Sequence, residues 1–178
     1  EVVALLGENG AGKSTLASII AGSNEPTSGS MTWDGADYAP ADPAPPEGWH
    51  AVEGRWPNAE HSRFVRAAGL VWHVQRMGEA GAPKCLLVHG TGASTHSFGA
   101  LMRLLAERFD VLAPDLPGHG FTSEARGRVL SLPGMADALA GLLDTLEVPR
   151  AAVVGHDWGG MVAWQLALDR PDLVLHRA

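Results

Sequence analysis

The chain has 178 residues, of which 46% are hydrophobic, and its formal net charge is -7 at pH 7. This length can bury one substantial core but not two complete enzymes, and the negative charge disfavours nonspecific binding to nucleic acid or to anionic lipid. The single cysteine, Cys85, excludes an intrachain disulfide. Because no apolar run approaches the length of a membrane span, we expect a cytoplasmic protein.

A phosphate-binding loop is predicted at the start of the chain. An apolar run over residues 1–6 is typical of a buried strand, and it leads into GENGAGKS, residues 7–14, a complete G-x-x-x-x-G-K-S pattern before a helix predicted over residues 13–21. Backbone N–H groups of such a loop bind phosphate oxygens, while Lys13 reaches the β- and γ-phosphates and the Ser14 hydroxyl ligates Mg²⁺. The candidate nucleotide-binding residues, with ATP and Mg²⁺ as their candidate ligands, are Gly7, Asn9, Gly10, Gly12, Lys13, Ser14 and Thr15.

The segment PTSGSMTWDGADYAPADP, residues 26–43, follows this loop and is similar to the corresponding stretch of sugar-importing ABC transporter ATPases. The resemblance implies a strand and an Asp-Gly turn after the first helix, and it ends near Pro43. An apolar strand ending in the acidic pair of a Walker B motif and the Leu-Ser-Gly-Gly signature are both missing from the sequence. We therefore predict that residues 1–43 form a P-loop fragment that holds nucleotide without hydrolysing it.

Prolines and glycines dominate the next segment. They occupy positions 40, 43, 45, 46, 48, 54 and 57. This composition does not continue a helix or a sheet, so we predict that residues 44–60 form a linker or an irregular lead-in, which Trp49 and Trp56 can attach to a neighbouring element.

Strands and helices alternate over residues 61–178. The pattern from Ser62 to Gln75 predicts a β-hairpin with one solvated face. Further strands are predicted at residues 85–88, 109–113 and 151–154, and helices at residues 98–109, 132–146 and from Met161 onwards. We predict an α/β fold, with a mostly parallel sheet flanked by helices.

A strand-turn-helix motif is centred on Asp157. The sequence GHDWG, residues 155–159, follows an apolar run that ends in two valines and precedes a helical pattern, which is the setting of a nucleophile elbow with aspartate in place of the usual serine. In this position the helix dipole and free N–H groups favour an anion. A carboxylate that attacks an acyl group gives a reactive anhydride, whereas attack on a saturated carbon gives an alkyl ester that water can cleave. Asp157 is therefore the candidate nucleophile, and epoxides and alkyl halides are the candidate small-molecule substrates.

Two positions near the elbow are candidates for binding the developing negative charge. Thr91 lies in the loop HGTG after the strand predicted at residues 85–88, where a backbone N–H completes an oxyanion hole with that of the residue after the nucleophile. Trp158 is that following residue. Its indole N–H, which donates but cannot accept, suits a departing halide.

The histidines are assigned mainly structural roles. Three of them belong to loop motifs and are expected to hold turns through hydrogen bonds. These are His89, His119 and His156. Three others are expected at the surface or in the hairpin, namely His50, His61 and His73.

The motifs of residues 61–178 together resemble the α/β-hydrolase family. The resemblance rests on LLVHGTGASTHSF (residues 86–98), APDLPGHG (113–120) and VVGHDWGGMVAWQLAL (153–168). WPNAEHSRFVRAAGLVWHVQRMG and LSLPGMADAL look like the hydrolase-fold accessory protein of magnesium chelatase in bacteriochlorophyll synthesis, which usually carries serine at the elbow. GHDWGGMVAWQLAL looks like epoxide hydrolases and haloalkane dehalogenases, which usually have a proline-containing loop after His-Gly.

This resemblance implies a catalytic triad in the order nucleophile, acid and histidine, with the last two after the elbow. It also implies a cap domain whose tyrosines protonate an epoxide, whereas the only tyrosine, Tyr38, lies in the P-loop segment. We interpret residues 61–178 as the N-terminal half of an α/β-hydrolase of the Asp-nucleophile type, in a bacterial fragment or fusion that is inactive as it stands and whose hydrolase part needs no cofactor. An ATP-binding module of the ABC transporter type and a non-catalytic accessory protein related to magnesium chelatase are the alternatives. An open sheet edge beside the elbow strand predicts self-association.

Overall fold

The computed structural model describes residues 32–33, 36–37, 42–123 and 130–175 of the chain. The chain divides into two compact units, residues 1–43 and residues 44–178. In the first unit, β1 (Thr32–Trp33) pairs antiparallel with β2 (Ala36–Asp37). The predicted phosphate loop, with its candidate residues from Gly7 to Thr15, lies outside the described residues.

A five-stranded sheet organises the described part of the second unit. Its strands are β3 (Ser62–Ala67), β4 (Leu70–Met77), β5 (Lys84–Val88), β6 (Asp110–Pro114) and β7 (Ala152–Gly155), in the order β3-β4-β6-β5-β7. The pairings of β3 with β4 and of β4 with β6 are antiparallel, whereas β5 pairs parallel with both β6 and β7. The predicted α/β fold is therefore confirmed, and its sheet is mixed, with the parallel part confined to β6, β5 and β7.

Three α-helices of the described residues accompany this sheet. They are α1 (Gly99–Leu105), α2 (Leu132–Thr145) and α3 (Trp158–Asp169), with 3-10 helices at Glu53–Arg55, Ala59–His61 and Thr95–Phe98. α1 ends at Leu105 and not at the predicted Phe109, because the chain turns after Leu105 so that β6 can begin at Asp110. Arg76 and Lys84 bind the Asp110 carboxylate. None of the helices within the described ranges has the length and the apolar character needed to cross a bilayer.

β3 and β4 form the predicted hairpin. Ala68 and Gly69 connect them with positive φ angles of 51° and 74°, the backbone sign that a two-residue primed turn needs. The prediction of one solvated face is wrong for β4, because residues 72–75 are all buried. Trp72 and Val74 share a core cluster with leucines of α2. His73, which lies between them in sequence, contacts the ring of Trp49.

The segment of residues 44–60 contacts the rest of the second unit through two buried residues, Trp49 and Asn58. Trp49 is 4% exposed, and its ring centroid lies 4.8 Å from that of His73 and 5.1 Å from that of Phe121. Asn58 is also buried, and its side-chain amide donates to the first carbonyl of α1. Of the two predicted alternatives, a linker or an irregular lead-in, the contacts of Trp49 and Asn58 favour the lead-in, because a free linker lacks buried contacts of this kind.

β7 lies at the edge of the sheet, and among the described residues its edge that faces away from β5 forms one isolated bridge and no ladder of strand hydrogen bonds. Val174 forms a parallel bridge with Ala151, and the Leu175 N–H donates to the Ala151 carbonyl. Val154 in the middle of the strand is 46% exposed. Self-association through this edge stays a prediction.

Candidate active site

The elbow forms between β7 and α3. Val88 of β5 lies opposite Gly155, and the His156 N–H continues this pairing by donating to the Val88 carbonyl at 3.0 Å. Asp157 follows with φ 55° and ψ -125°, a conformation that costs a non-glycine residue about 1–3 kcal/mol. The Gly160 N–H then donates to the Asp157 carbonyl at 2.9 Å as the helix begins. The structure thus places Asp157 at a sharp strand-to-helix turn.

Glycines allow this turn to pack against the sheet. A Cβ atom on Gly159 would collide with the carbonyl oxygens of Val88 and His89. A Cβ atom on Gly155 would lie 2.5 Å from the Gly159 oxygen, which is too close for any side chain. α3 can therefore approach β5 only because these two positions carry no side chain.

The Asp157 carboxylate is exposed and is bound by backbone N–H groups. Its Oδ2 atom accepts the Thr91 N–H at 3.0 Å. Hydrogen bonds from the backbone N–H groups of Trp158 and Thr91 lower the pKa of the Asp157 carboxyl, and the nearby His156 acts in the same direction. The carboxylate is therefore ionised at neutral pH, and the structure brings the candidate nucleophile into contact with the candidate oxyanion donor Thr91.

The Trp158 indole is directed into the protein. Its Nε1–H donates to the Met135 sulfur at 3.3 Å, and its ring packs against the main core cluster. Met135 lies near the start of α2 and is 4% exposed. The N–H that the sequence suggests for a leaving halide is therefore engaged by a methionine of another helix.

No imidazole hydrogen-bonds Asp157 within the described ranges. The same ranges hold no group of three or more histidine, cysteine, aspartate or glutamate side chains that could bind a metal ion. A cavity of 590 Å³ runs along α2 as far as Arg170 at the end of α3, and the elbow residues do not line it. Within the described residues, the candidate site therefore consists of the Asp157 carboxylate and the backbone N–H groups that bind it.

Comparison with known proteins identifies the fold of the second unit. The family model described as alpha/beta hydrolase fold matches residues 86–176, which is 91 of the 178 residues. The chain belongs to the alpha/beta hydrolase family. A second family model, that of ABC transporters, matches residues 1–65, so this match extends from the P-loop segment into β3 of the alpha/beta hydrolase sheet.

Several relatives match the alpha/beta hydrolase part. The magnesium-chelatase 30 kDa subunit of Rhodobacter capsulatus is 44% identical over 122 residues, which cover 68% of this chain and 43% of that protein. Epoxide hydrolase 4 of Homo sapiens is 33% identical over 112 residues, which cover 62% of this chain and 31% of that protein. The crystal structure of epoxide hydrolase A from Mycobacterium thermoresistibile superposes with a TM-score of 0.60 at 33% identity, over 64% of this chain and 36% of that one. The chain thus spans less than half the length of these relatives.

In this alpha/beta hydrolase, His89 stabilises the loop that carries Thr91 through two hydrogen bonds. Its Nδ1 lies 2.8 Å from the Gly90 carbonyl oxygen, which can only accept, and its Nε2 lies 2.8 Å from the Leu116 nitrogen, which can only donate. These partners fix the neutral imidazole with its proton on Nδ1. Burial lowers the pKa of His89 and so favours the same neutral form. The expected hydrogen-bonding role of this loop histidine is observed.

A buried histidine-aspartate pair joins β4 to the loops after β5 and β6. The His73 Nδ1 donates to Asp115 Oδ2 at 2.8 Å, and both side chains are fully buried. Asp115 also accepts the backbone N–H of Thr95 at 2.6 Å and that of Phe121 at 2.9 Å. Burial raises the pKa of the Asp115 carboxyl, but the bonds from His73 and the two backbone groups outweigh it, so that the pKa is lowered. The pair therefore fixes the alpha/beta hydrolase loop on which Thr91 lies.

The sequence alone does not predict this pair. His73 is expected at the surface or in the hairpin, and it lies in the hairpin but is 0% exposed. A usable signal is the position of His73 inside the apolar stretch LVWHV, because a buried polar residue needs a polar partner. Its Nε2 lies 3.0 Å from the Ser62 hydroxyl, which also accepts from Gln75, so this serine is a structural partner of the histidine.

Proposed function

We propose that this alpha/beta hydrolase is of the Asp-nucleophile type and opens epoxides or haloalkanes by attack of Asp157 on a saturated carbon. The observation that supports the proposal most directly is the ionised Asp157 carboxylate at the elbow, with Oδ2 bound to the Thr91 N–H. Similarity to epoxide hydrolases in sequence and in structure supports the same chemistry.

In the first step, the Oδ1 atom of Asp157 forms a bond to the substrate carbon while the carbon–halogen or carbon–oxygen bond breaks. The electron pair leaves with the halide, or it stays on the epoxide oxygen, which then takes a proton from water. Oδ2 becomes the carbonyl oxygen of the alkyl ester and keeps its hydrogen bond from Thr91. When water attacks that ester, the same N–H stabilises the oxyanion.

We further propose that the chain as it stands stops at the ester. Hydrolysis of an alkyl-enzyme needs a base that activates water. Within the described residues no imidazole hydrogen-bonds Asp157. The ester is therefore expected to accumulate to one per chain.

Incubation with a terminal oxirane or a primary bromoalkane, followed by intact-mass spectrometry, tests both proposals. We expect one covalent adduct per chain, which peptide mapping assigns to Asp157, and no adduct in Asp157→Ala. The matched control is Asp169→Ala, which removes another exposed carboxylate, at the end of α3, and leaves labelling unchanged. Equal labelling of the parent chain and of Asp157→Ala rules out attack by Asp157, and so does an unlabelled parent chain that releases neither bromide nor a diol. An unlabelled parent chain that releases either product rules out only the accumulation of the ester.

A second function, nucleotide binding, is supported by the ABC transporter match over residues 1–65. We propose that the phosphate loop from Gly7 to Thr15 binds ATP with Mg²⁺, with Lys13 on the phosphates and Ser14 on the metal. Calorimetric titration of the whole chain with ATP and Mg²⁺ is expected to show binding that Lys13→Ala abolishes and that Arg63→Ala, a change on the exposed side of β3, preserves. Absence of heat in the parent chain ends this proposal.

The identity of 44% to the magnesium-chelatase 30 kDa subunit supports a different alternative, a non-catalytic accessory role. An accessory protein needs the fold and its surface but no reactive carboxylate. A folded parent chain that forms no adduct with either electrophile is the result that favours this alternative.

A further inference from the structure

The geometry points to Met135 as a positioning residue that disfavours halide leaving groups, an inference that rests on the proposed function of Asp157. Trp158 directly follows the nucleophile, and its indole N–H is a donor without an acceptor lone pair. A donor of this kind beside the reacting carbon stabilises a departing anion. In this structure the indole N–H instead donates to the Met135 sulfur at 3.3 Å.

Both the backbone and the side chain of Met135 are held in place. Its N–H donates to the Ser131 carbonyl at 2.8 Å in the first turn of α2, which the Ser131 side chain caps. Its side chain is 4% exposed and belongs to the core cluster against which Trp158 packs. A thioether is a weak acceptor, so a halide ion is the better partner for the indole. Withdrawal of the sulfur would however open a void in a close-packed core, and packing therefore keeps the two side chains together.

The two substrate classes differ in what they require from a donor. A halide leaves as a free anion and needs donors that face it while its charge develops. An epoxide oxygen stays attached to carbon, ring strain assists its release, and water can supply the proton because Asp157 is exposed. With the Trp158 N–H engaged by Met135, the elbow favours an oxirane over a bromoalkane of the same carbon chain.

Met135→Leu tests this inference, because leucine keeps the volume and removes the acceptor. In the parent chain, the indole ¹⁵N–¹H resonance of Trp158 is expected to respond to sodium bromide no more than to sodium sulfate of equal ionic strength. In Met135→Leu the half-buried indole has no acceptor in the core, so its N–H is expected to turn to the solvent side and its resonance to shift saturably with bromide. The rate of Asp157 labelling by the bromoalkane, relative to the oxirane, is expected to rise about tenfold, the factor that one hydrogen bond to a charged group supplies.

Two further variants make the comparison specific. Met102→Leu is the matched control, because Met102 is fully buried in the other core cluster and its replacement leaves the bromide response unchanged. Trp158→Phe identifies the resonance of Trp158 among those of the other tryptophans.

A saturable bromide shift of Trp158 in the parent chain overturns the inference, and this measurement needs no substitution that has to fold. The inference is also overturned if folded Met135→Leu shows neither a bromide shift of Trp158 nor a faster relative labelling by the bromoalkane. If neither electrophile labels Asp157 in the parent chain, the proposed function fails, while the bromide titration still decides the role of Met135.

Discussion

Gly159→Ala is expected to disrupt the elbow and to lower the free energy of unfolding by about 3 kcal/mol. The added Cβ atom would meet the carbonyl oxygens of Val88 and His89, and the first of these accepts the His156 N–H and cannot rotate away. α3 would have to move away from β5, and Asp157 would lose the contacts that hold its positive φ. Urea denaturation measures the loss of stability, and oxirane labelling of Asp157 measures the loss of the reactive geometry.

Gly160→Ala is the matched control at the next position of α3. A Cβ atom there would lie 3.6 Å from the Gly155 oxygen, which is an ordinary van der Waals distance. Because glycine inside a helix is less stable than alanine by about 0.5–1 kcal/mol, this variant is expected to be at least as stable as the parent chain and to keep its labelling. Similar losses in both variants would show that the collision with the sheet is not the cause.

Asp115→Asn is expected to lower the free energy of unfolding at pH 7 by about 3–5 kcal/mol, since it removes a buried carboxylate on which several hydrogen bonds converge. The carboxylate accepts from His73 and from the N–H groups of Thr95 and Phe121. An amide offers one oxygen in place of two, and its own N–H groups would face donors. Urea denaturation gives the loss of stability, and slower labelling of Asp157 reports the displacement of the loop that carries Thr91.

The pH dependence provides a second measurement on Asp115. Because the pKa of this carboxyl is lowered in the folded chain, its contribution to stability is present above the unfolded value of about 3.9 and is lost as the pH falls through the folded value. Below about pH 4 the parent chain is therefore expected to lose stability more steeply than Asp115→Asn.

Asp144→Asn is the control for burial at Asp115. Asp144 is 52% exposed and pairs with Arg170 on the surface, so the variant is expected to lose less than about 1 kcal/mol. Equal losses in the two asparagine variants would contradict the argument that burial makes Asp115 important.

The elements that depend on local sequence were predicted closely. The strand predicted at residues 85–88 is Lys84–Val88, and the helix predicted at residues 132–146 is Leu132–Thr145. Apolar periodicity and capping residues determine such elements, and both can be read from neighbouring positions. The elbow could be predicted for the same reason, because Gly155, Asp157 and Gly159 lie within five consecutive residues.

Contacts between distant residues could not be predicted in this way. The bond between Trp158 and Met135 joins positions 23 residues apart, and the bond between His73 and Asp115 joins positions 42 residues apart. The sequence indicated that Trp158 carries a donor, but the direction of that donor depends on where α2 packs. The burial of His73 likewise depends on Trp49, which lies in a segment whose composition predicted a linker or an irregular lead-in without indicating its partner.

The parallel pairing of β5 with β7 determines when the chain becomes chemically competent during folding. It places residue 85 opposite residue 152, and contacts of such long sequence separation form slowly because a large loop must close first. The unusual backbone angles of Asp157 depend on the bond between Val88 and His156, which exists only after that closure. We expect a refolding chain to regain its helical circular dichroism before it regains reactivity toward an electrophile, which makes covalent capture a reporter of the fully assembled native state.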